Sequence, residues 1–204
     1  MKLKSIDISV FLTLIICIIA TVSFENSCKG IREEILRLHV IANSDEDFDQ
    51  ELKLRVRDAV LMSGEAVFSG SEDIISAEGK IAEKTDILKT AAEETIRSLG
   101  YDYNVKIELK RSYFPTRVYD DLTLPAGYYK AVRIIIGEGK GKNWWCIMFP
   151  PLCLPAATGN KEVIGQYLND REMDVVTANP KYEVRFWLIE KYYDIKNRCF
   201  VNNK

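Results

Sequence analysis

The sequence predicts an α+β domain, with a mostly antiparallel sheet packed by helices, preceded by an N-terminal signal or anchor segment. Three features predict it: an apolar stretch near the N-terminus, two long segments with helical spacing of apolar residues, and several short segments of alternating apolar and polar residues. With 204 residues, 47% hydrophobic and 28% charged, the chain has room and composition for one globular domain and a targeting segment.

The N-terminal segment has the features of an export signal. Lys2 and Lys4 precede residues 10–22, where only two threonines interrupt the apolar run. The run is long for a signal peptide and short for a bilayer span, and no clear cleavage site follows it, so a cleaved signal and a retained anchor both stay open. We assign residues 1–24 to this segment and residues 25–34 to a polar linker.

A lipoprotein cut before Cys28 is a further alternative for the same region. Ser27 and Cys28 suit such a cut, but Glu25 and Asn26 in front of them do not. The globular domain is then predicted over residues 35–199, with a short tail at residues 200–204.

The domain begins with a predicted strand at residues 35–42, whose alternation puts Leu36, Leu38 and Val40 on one face and His39 on the other. A turn at residues 43–47 follows, rich in residues that cap helix N-termini.

Two helices come next in the prediction. The first covers residues 48–62, with Gly64 as its stop. The second covers residues 71–99, with Gly79 as a candidate break.

The following part of the chain has the pattern of strands. Residues 105–110 alternate as a half-buried strand, and residues 113–119, which contain Pro115, suit an edge strand or an ordered loop. Residues 128–136 and 144–149 are joined by a glycine-rich connection, which predicts a β-hairpin.

The C-terminal part is predicted to be helical again. Residues 161–176 have a weak helical pattern, and Asn179 with Pro180 forms a good cap for a last helix carrying Trp187 and Leu188.

Several classes of function conflict with the composition and motifs. The formal net charge is −2, which gives no general attraction to nucleic acid. Gly141 and Lys142 in the glycine-rich connection are followed by Asn143 and a strand-like segment, which does not fit a phosphate-binding loop that opens a helix. The chain has one histidine and no C-x-x-C spacing, so we expect no metal and no cofactor.

His39 is the one imidazole, so any mechanism with a Ser–His or Cys–His pair requires it. Cys146 is a nucleophile for such a pair in principle, but it lies in an aromatic strand rather than in an electropositive setting. We therefore expect His39 to have a structural role, bonding the turn at residues 43–47, ahead of a recognition role, and we predict no catalytic residues.

The cysteines and tryptophans form a second group of special residues. Four cysteines lie outside the apolar run and allow three pairings, among which a disulfide between Cys146 and Cys153 could close the intervening proline turn; small buried hydrophobic residues are the alternative. Strand alternation puts Trp144 and Trp145 on opposite faces of the sheet. We expect one of them in the core, and the other, if exposed, to be an anchor for a protein partner.

Two stretches, residues 35–62 and 125–153, and the shorter residues 114–119 closely resemble the stage II sporulation protein R family. The resemblance implies a signalling protein exported from the forespore into the space between the forespore and mother-cell membranes, its N-terminal segment entering the membrane during export. There it would activate a membrane-embedded aspartic protease of the mother cell, which processes the precursor of an early mother-cell sigma factor.

The resemblance implies a ligand rather than an enzyme and carries over no catalytic residue. Seven candidate partner-binding residues lie in the two matched stretches: His39, Asn43, Asp45, Arg57, Asp58, Trp144 and Trp145. The alternative is a cell-envelope hydrolase, of the peptidoglycan amidase or peptidase type, that uses His39.

Overall fold

The computed structural model describes residues 5–119, 122–151, 160–177, 187–193, 195 and 196. The helices and strands follow in the order α1 (Ser5–Glu34), β1 (Leu36–Ile41), α2 (Asp47–Phe68), α3 (Ile74–Glu83), α4 (Thr85–Ser98), β2 (Val105–Phe114), β3 (Arg117–Tyr119), β4 (Leu122–Leu124), β5 (Gly127–Ile136), β6 (Asn143–Phe149), α5 (Asn160–Ile164) and α6 (Asp170–Val176). Residues 187–193, 195 and 196 are also helical, and we call them the C-terminal segment. The predicted α+β class is confirmed.

The main sheet has the order β2-β5-β1-β6, and β3 and β4 form a separate two-stranded sheet. β1 runs parallel to β5 and antiparallel to β6, while β2 and β5 are antiparallel. The predicted hairpin is therefore wrong, because both of its strands exist but β1 lies between them. All residues of β1 except His39 are buried, and a strand buried on both faces belongs in the middle of a sheet.

The first face of the sheet packs against α2, α3 and α4. Leu38 and Val40 of β1 pack with Leu52 and Val56 of α2 and Leu88 of α4 in the first core cluster. The alternation predicted for β1 is confirmed by this division of its side chains.

The predicted helix boundaries on this face need correction. Gly64 does not end the first helix, which continues to Phe68; Gly64 is buried there, and a Cβ atom on it would lie 2.7 Å from the Met148 side chain. The second predicted helix consists of α3 and α4, which meet at Lys84 rather than at Gly79.

The second face of the sheet packs against the end of α1, α5, α6 and the β3–β4 pair. Here Phe24, Cys28 and Ile31 of α1 are buried in a second core cluster, together with Phe114 and Val175. The linker predicted for residues 25–34 is therefore wrong. The three apolar residues are spaced by four and three, so they form one buried face of the helix. Charged residues lie between them in the sequence, and for this reason the overall composition of the segment is that of a linker.

The first part of α1 makes little contact with the domain. The large apolar side chains within residues 8–22 are exposed. Among the described residues, α1 is the one helix long and apolar enough to cross a membrane, judged by length and composition. Such a helix is compatible with a signal or an anchor. The predicted last-helix cap, Asn179 and Pro180, and the tail at residues 200–204 lie outside the described residues.

Candidate functional site

The turn after β1 holds the glycine-rich connection between β5 and β6. The backbone carbonyl of Asn43 accepts a hydrogen bond from the Lys140 amide (3.1 Å), and its side-chain oxygen accepts one from the Glu138 amide (3.0 Å). Asp45 Oδ1 accepts a hydrogen bond from the Lys142 amide at 2.7 Å. We call this arrangement the loop clasp. It gives Asn43 and Asp45 structural partners, and it joins the two stretches that carry the family resemblance.

Buried polar groups on α2 complete the loop clasp. Asp49 Oδ2 accepts hydrogen bonds from Asn43 Nδ2 (2.8 Å) and Ser44 Oγ (2.6 Å). Lys53 Nζ donates to Gln50 Oε1 (2.6 Å) and to the Lys142 carbonyl (3.1 Å), and its burial lowers the pKa of the amine. The polar side chains of the turn therefore fasten the loop, whereas Glu46, the residue before α2, makes no side-chain capping hydrogen bond.

His39 does not bond the turn at residues 43–47, so that expectation is wrong. Its Nε2 lies 2.8 Å from Asn143 Oδ1, and its ring stacks on Trp145 with centroids 5.8 Å apart. Both partners belong to β6, the strand that pairs with β1, and the register places His39 opposite Trp145. Burial lowers the pKa of the His39 imidazole, so the neutral ring is favoured.

The ring of Trp145 contacts two nitrogen-rich groups. The Arg117 guanidinium carbon is 4.3 Å from the Trp145 ring centroid, and His39 stacks at nearly parallel planes, 17° apart. Tyr119 donates a hydrogen bond to the Trp145 carbonyl at 3.3 Å. This tryptophan is packed into the second face of the sheet, as predicted for one of the pair.

Cys146 faces the opposite side of the sheet from His39. It is buried in the first core cluster and is disulfide-bonded, so it has no free thiolate. Cys153, its predicted partner, lies outside the described residues, and Cys17 and Cys28 are free thiols. The structure therefore does not bring His39 and Cys146 together as a nucleophile and its base.

Arg37 was not singled out in the sequence, although it is a charged residue in an otherwise apolar strand. It is fully buried next to His39 on the second face. Its Nε donates to the Cys146 carbonyl (2.9 Å), its Nη2 donates to Tyr119 Oη (2.6 Å), and its guanidinium lies 4.3 Å from the Phe114 ring centroid. Desolvation lowers the pKa of this group.

Trp144 lies on the first face, next to α2, and is 37% exposed. The Arg57 guanidinium carbon is 4.5 Å from the Trp144 ring centroid, and Arg57 Nη2 is 2.7 Å from Asp58 Oδ1. We call these three residues the Trp144 patch. They come from both matched stretches, and β6, which carries Trp144, is an edge strand of the sheet.

The seven predicted partner-binding residues thus fall into three groups, namely the loop clasp, the stack of His39 on Trp145, and the Trp144 patch. Within the part of the chain that the structure describes, no group of three or more His, Cys, Asp or Glu side chains could hold a metal ion.

Comparison with known proteins matches the sequence of this chain to one family. The family model for stage II sporulation protein R matches residues 32–159, which contain the six strands of the described residues. Stage II sporulation protein R of Bacillus subtilis (strain 168) is 39% identical over 132 residues.

That alignment covers 63% of this chain and 58% of the relative, so the match spans less than two thirds of the relative's length. No solved structure matches the chain. The matched region reaches from the last turn of α1 to beyond β6 and includes the loop clasp, the stack and the Trp144 patch. On this evidence the chain belongs to the stage II sporulation protein R family.

Proposed function

We propose that the chain is an exported signalling protein of sporulation that activates a membrane-embedded aspartic protease of the mother cell. Activation would trigger processing of the precursor of an early mother-cell sigma factor. In this proposal the protein leaves the forespore and acts in the space between the two membranes. Its family supports the role in sporulation, and the exposed apolar part of α1 supports entry into a membrane.

The observation that carries the proposal is the Trp144 patch. Tryptophan and arginine are the residues most enriched among energetic hot spots of protein interfaces. Here the indole is exposed but held against Arg57, whose charge is paired with Asp58. An anchor that is already ordered loses little side-chain entropy on binding, so the patch suits recognition of a folded partner.

The physical mechanism of activation would be a population shift. A ligand changes a receptor's conformational equilibrium only by its difference in affinity for the two states. Moving a receptor from about 1:99 to 99:1 requires about 5.5 kcal/mol of differential binding. Two or three hot-spot residues, at about 2 kcal/mol each, are of that size.

The surroundings of His39 favour binding over hydrolysis. The ring is stacked on Trp145 and bonded to Asn143, and Cys146, the candidate nucleophile, is disulfide-bonded and lies on the opposite face of the sheet. A hydrolase that uses His39 would need the imidazole within reach of a nucleophile or a water that it activates.

The test is to replace Trp144 or Arg57 by alanine in sporulating cells and to follow cleavage of the sigma-factor precursor. Truncating a hot spot costs about 2 kcal/mol, so we expect the activating affinity to fall about 30-fold and processing to recover on overexpression. Arg55→Ala is the matched control, because Arg55 lies on the same helix in an exposed pair with Glu51.

Equal processing in all three variants at equal protein levels would contradict the proposal. So would a loss in the Arg55→Ala control as large as in the Trp144→Ala variant, since that pattern indicates a general defect of α2. His39→Gln adds a further arm: a hydrolase would lose activity that overexpression cannot restore.

A further inference from the structure

The C-terminal segment is fixed to the domain beside the end of α1. The ring of Tyr193 packs against those of Tyr113 and Tyr128, at centroid distances of 5.7 and 5.8 Å. The Arg32 guanidinium lies 5.9 Å from the same ring, and Ile189 packs against the second core cluster. These contacts fix the position of the segment beside α1.

A neighbouring face of the C-terminal segment exposes large apolar side chains. Leu188, Tyr192 and Ile195 are spaced by four and three, so they lie on one face of the helix, and they are 55%, 59% and 62% exposed. Trp187, at the start of the segment, is 55% exposed. A contiguous stripe of this kind on a folded domain indicates a contact surface.

A cavity of about 440 Å³ separates this stripe from α1. Residues of α1 line one side of it, namely Thr21, Phe24 and Glu25, and residues of the C-terminal segment line the other, namely Leu188, Ile189, Tyr192, Tyr193 and Lys196. Thr21 belongs to the exposed apolar part of α1, while Phe24 begins the part that packs in the core. The apolar surface of α1 therefore continues across the cavity onto the C-terminal segment.

The length of the exposed part of α1 points to the same surface. Residues 8–22 extend about 22 Å at 1.5 Å per residue, whereas the hydrocarbon core of a bilayer is about 30 Å thick. A helix that is short for its membrane requires additional apolar surface at its ends. The exposed stripe supplies such surface at the end where α1 enters the domain.

We propose that the C-terminal segment lies in the interfacial layer of the membrane that α1 enters. Tryptophan and tyrosine favour this layer, where Trp187 and Tyr192 would sit at the headgroups with Leu188 and Ile195 facing the acyl chains. The segment would orient the domain on the membrane surface. This inference rests on the membrane entry of α1 in the proposed function, but not on protease activation.

The test uses the full chain reconstituted in vesicles of phosphatidylcholine and phosphatidylglycerol with bromine atoms on the acyl chains near the glycerol. Bromine quenches tryptophan fluorescence at short range. We expect a quenched fraction in the unaltered chain and in Trp144→Phe, and loss of that fraction in Trp187→Phe. Leu188→Asn, at an exposed position, should reduce the quenching of Trp187 without unfolding the domain.

Resistance to extraction by alkaline carbonate reports insertion of α1 separately, so a failure of insertion is distinguished from a failure of this inference. In inserted chains, equal quenching in the unaltered chain and in Trp187→Phe would overturn the inference, as would quenching of Trp187 by iodide from the aqueous phase. Protection of Trp187 that appears only at high protein-to-lipid ratio would instead assign the stripe to a second copy of the chain, and would also overturn it.

Discussion

Arg37 places a guanidinium group at the centre of the sheet, and none of the described carboxylates forms an ion pair with it. Its two hydrogen bonds, to the Cys146 carbonyl and the Tyr119 hydroxyl, point in different directions and suit the fork of an arginine. A lysine at this position can replace one of them and lacks the guanidinium that lies over the Phe114 ring. Arg37 is therefore a structural link between β1, β3 and β6.

We expect Arg37→Lys to lower the free energy of unfolding by about 1–3 kcal/mol, the cost of leaving a buried polar group unpaired. Urea denaturation of the detergent-solubilised full chain measures it. Arg55→Lys is the matched control on the surface of α2, where the change should stay within about 0.5 kcal/mol. Equal shifts in the two variants would show that the buried guanidinium has no special role.

His39 should make the stability of the fold depend on pH. Burial lowers the pKa of the folded-state imidazole below its ordinary value of 6.5. The unfolded chain therefore binds a proton at a pH where the folded chain does not, and stability falls as the pH drops below 6.5 towards the folded pKa. Above that window the contribution is fully present.

The measurement compares urea midpoints at about pH 7.5 and pH 5.5 for the unaltered chain and for His39→Gln, which keeps a polar side chain that can hydrogen-bond to Asn143. The unaltered chain should lose more stability on acidification than the variant does. Carboxylates contribute equally to both proteins and cancel in the comparison. An identical loss in both would contradict the lowered pKa.

At the scale of single elements, periodicity predicted what is local and missed what depends on neighbours. The alternation in residues 35–42 predicted β1 and its two faces, because a strand's side chains alternate whatever lies beside it. The same pattern does not show which strands pair. The glycine-rich connection between β5 and β6 therefore predicts a hairpin, whereas in the structure β1 lies between these two strands.

The candidate site shows the same division between local and long-range information. The resemblance selected Arg57 and Trp144 from distant stretches, and the fold brings them into contact. Arg37 and Arg117 were missed, because their function depends on aromatic rings contributed by other elements. A charged residue in a buried strand was the one local signal available for Arg37.

Two glycines test whether the loop clasp is a close-packed element. A Cβ atom on Gly141 would lie 2.1 Å from the backbone oxygen of Ser44, a clash that no side-chain movement relieves. Gly79, within α3, has no neighbouring atom within 4 Å of the same position. The two positions therefore predict opposite signs for the same substitution.

Gly141→Ala should destabilise the fold by about 1–3 kcal/mol, the usual range for overpacking. Gly79→Ala should stabilise it by about 0.5–1 kcal/mol, because alanine restricts the unfolded chain and suits a helix. Thermal unfolding of both variants under the same conditions measures the pair. A Gly141→Ala variant as stable as the unaltered chain would mean that the turn at residues 43–47 does not hold the glycine-rich connection.

At the scale of the whole molecule, α1 combines an exposed apolar part, compatible with a signal or an anchor, with a part that belongs to the core. Its buried residues Phe24, Cys28 and Ile31 pack under the second face of the sheet, and Arg32 pairs with Glu25 within the same helix. A lipoprotein cut before Cys28 would remove Phe24 from the core and place a lipid on a fully buried side chain. The structure therefore favours either retention of α1 or a cut before Phe24.

Two truncations follow from this arrangement. A chain that begins at Phe24 keeps every buried residue of α1, so we expect it to be water-soluble and to unfold cooperatively, with a stability close to that of the full chain. A chain that begins at Ile35 loses three buried apolar side chains, worth about 1.5–3 kcal/mol each, which is comparable with the entire stability of an ordinary domain. Near-ultraviolet circular dichroism and urea denaturation should show a sharp transition for the first chain and none for the second. If both chains unfold with the same midpoint, the end of α1 contributes nothing to the core, and residues 25–34 act as the linker that their composition suggests.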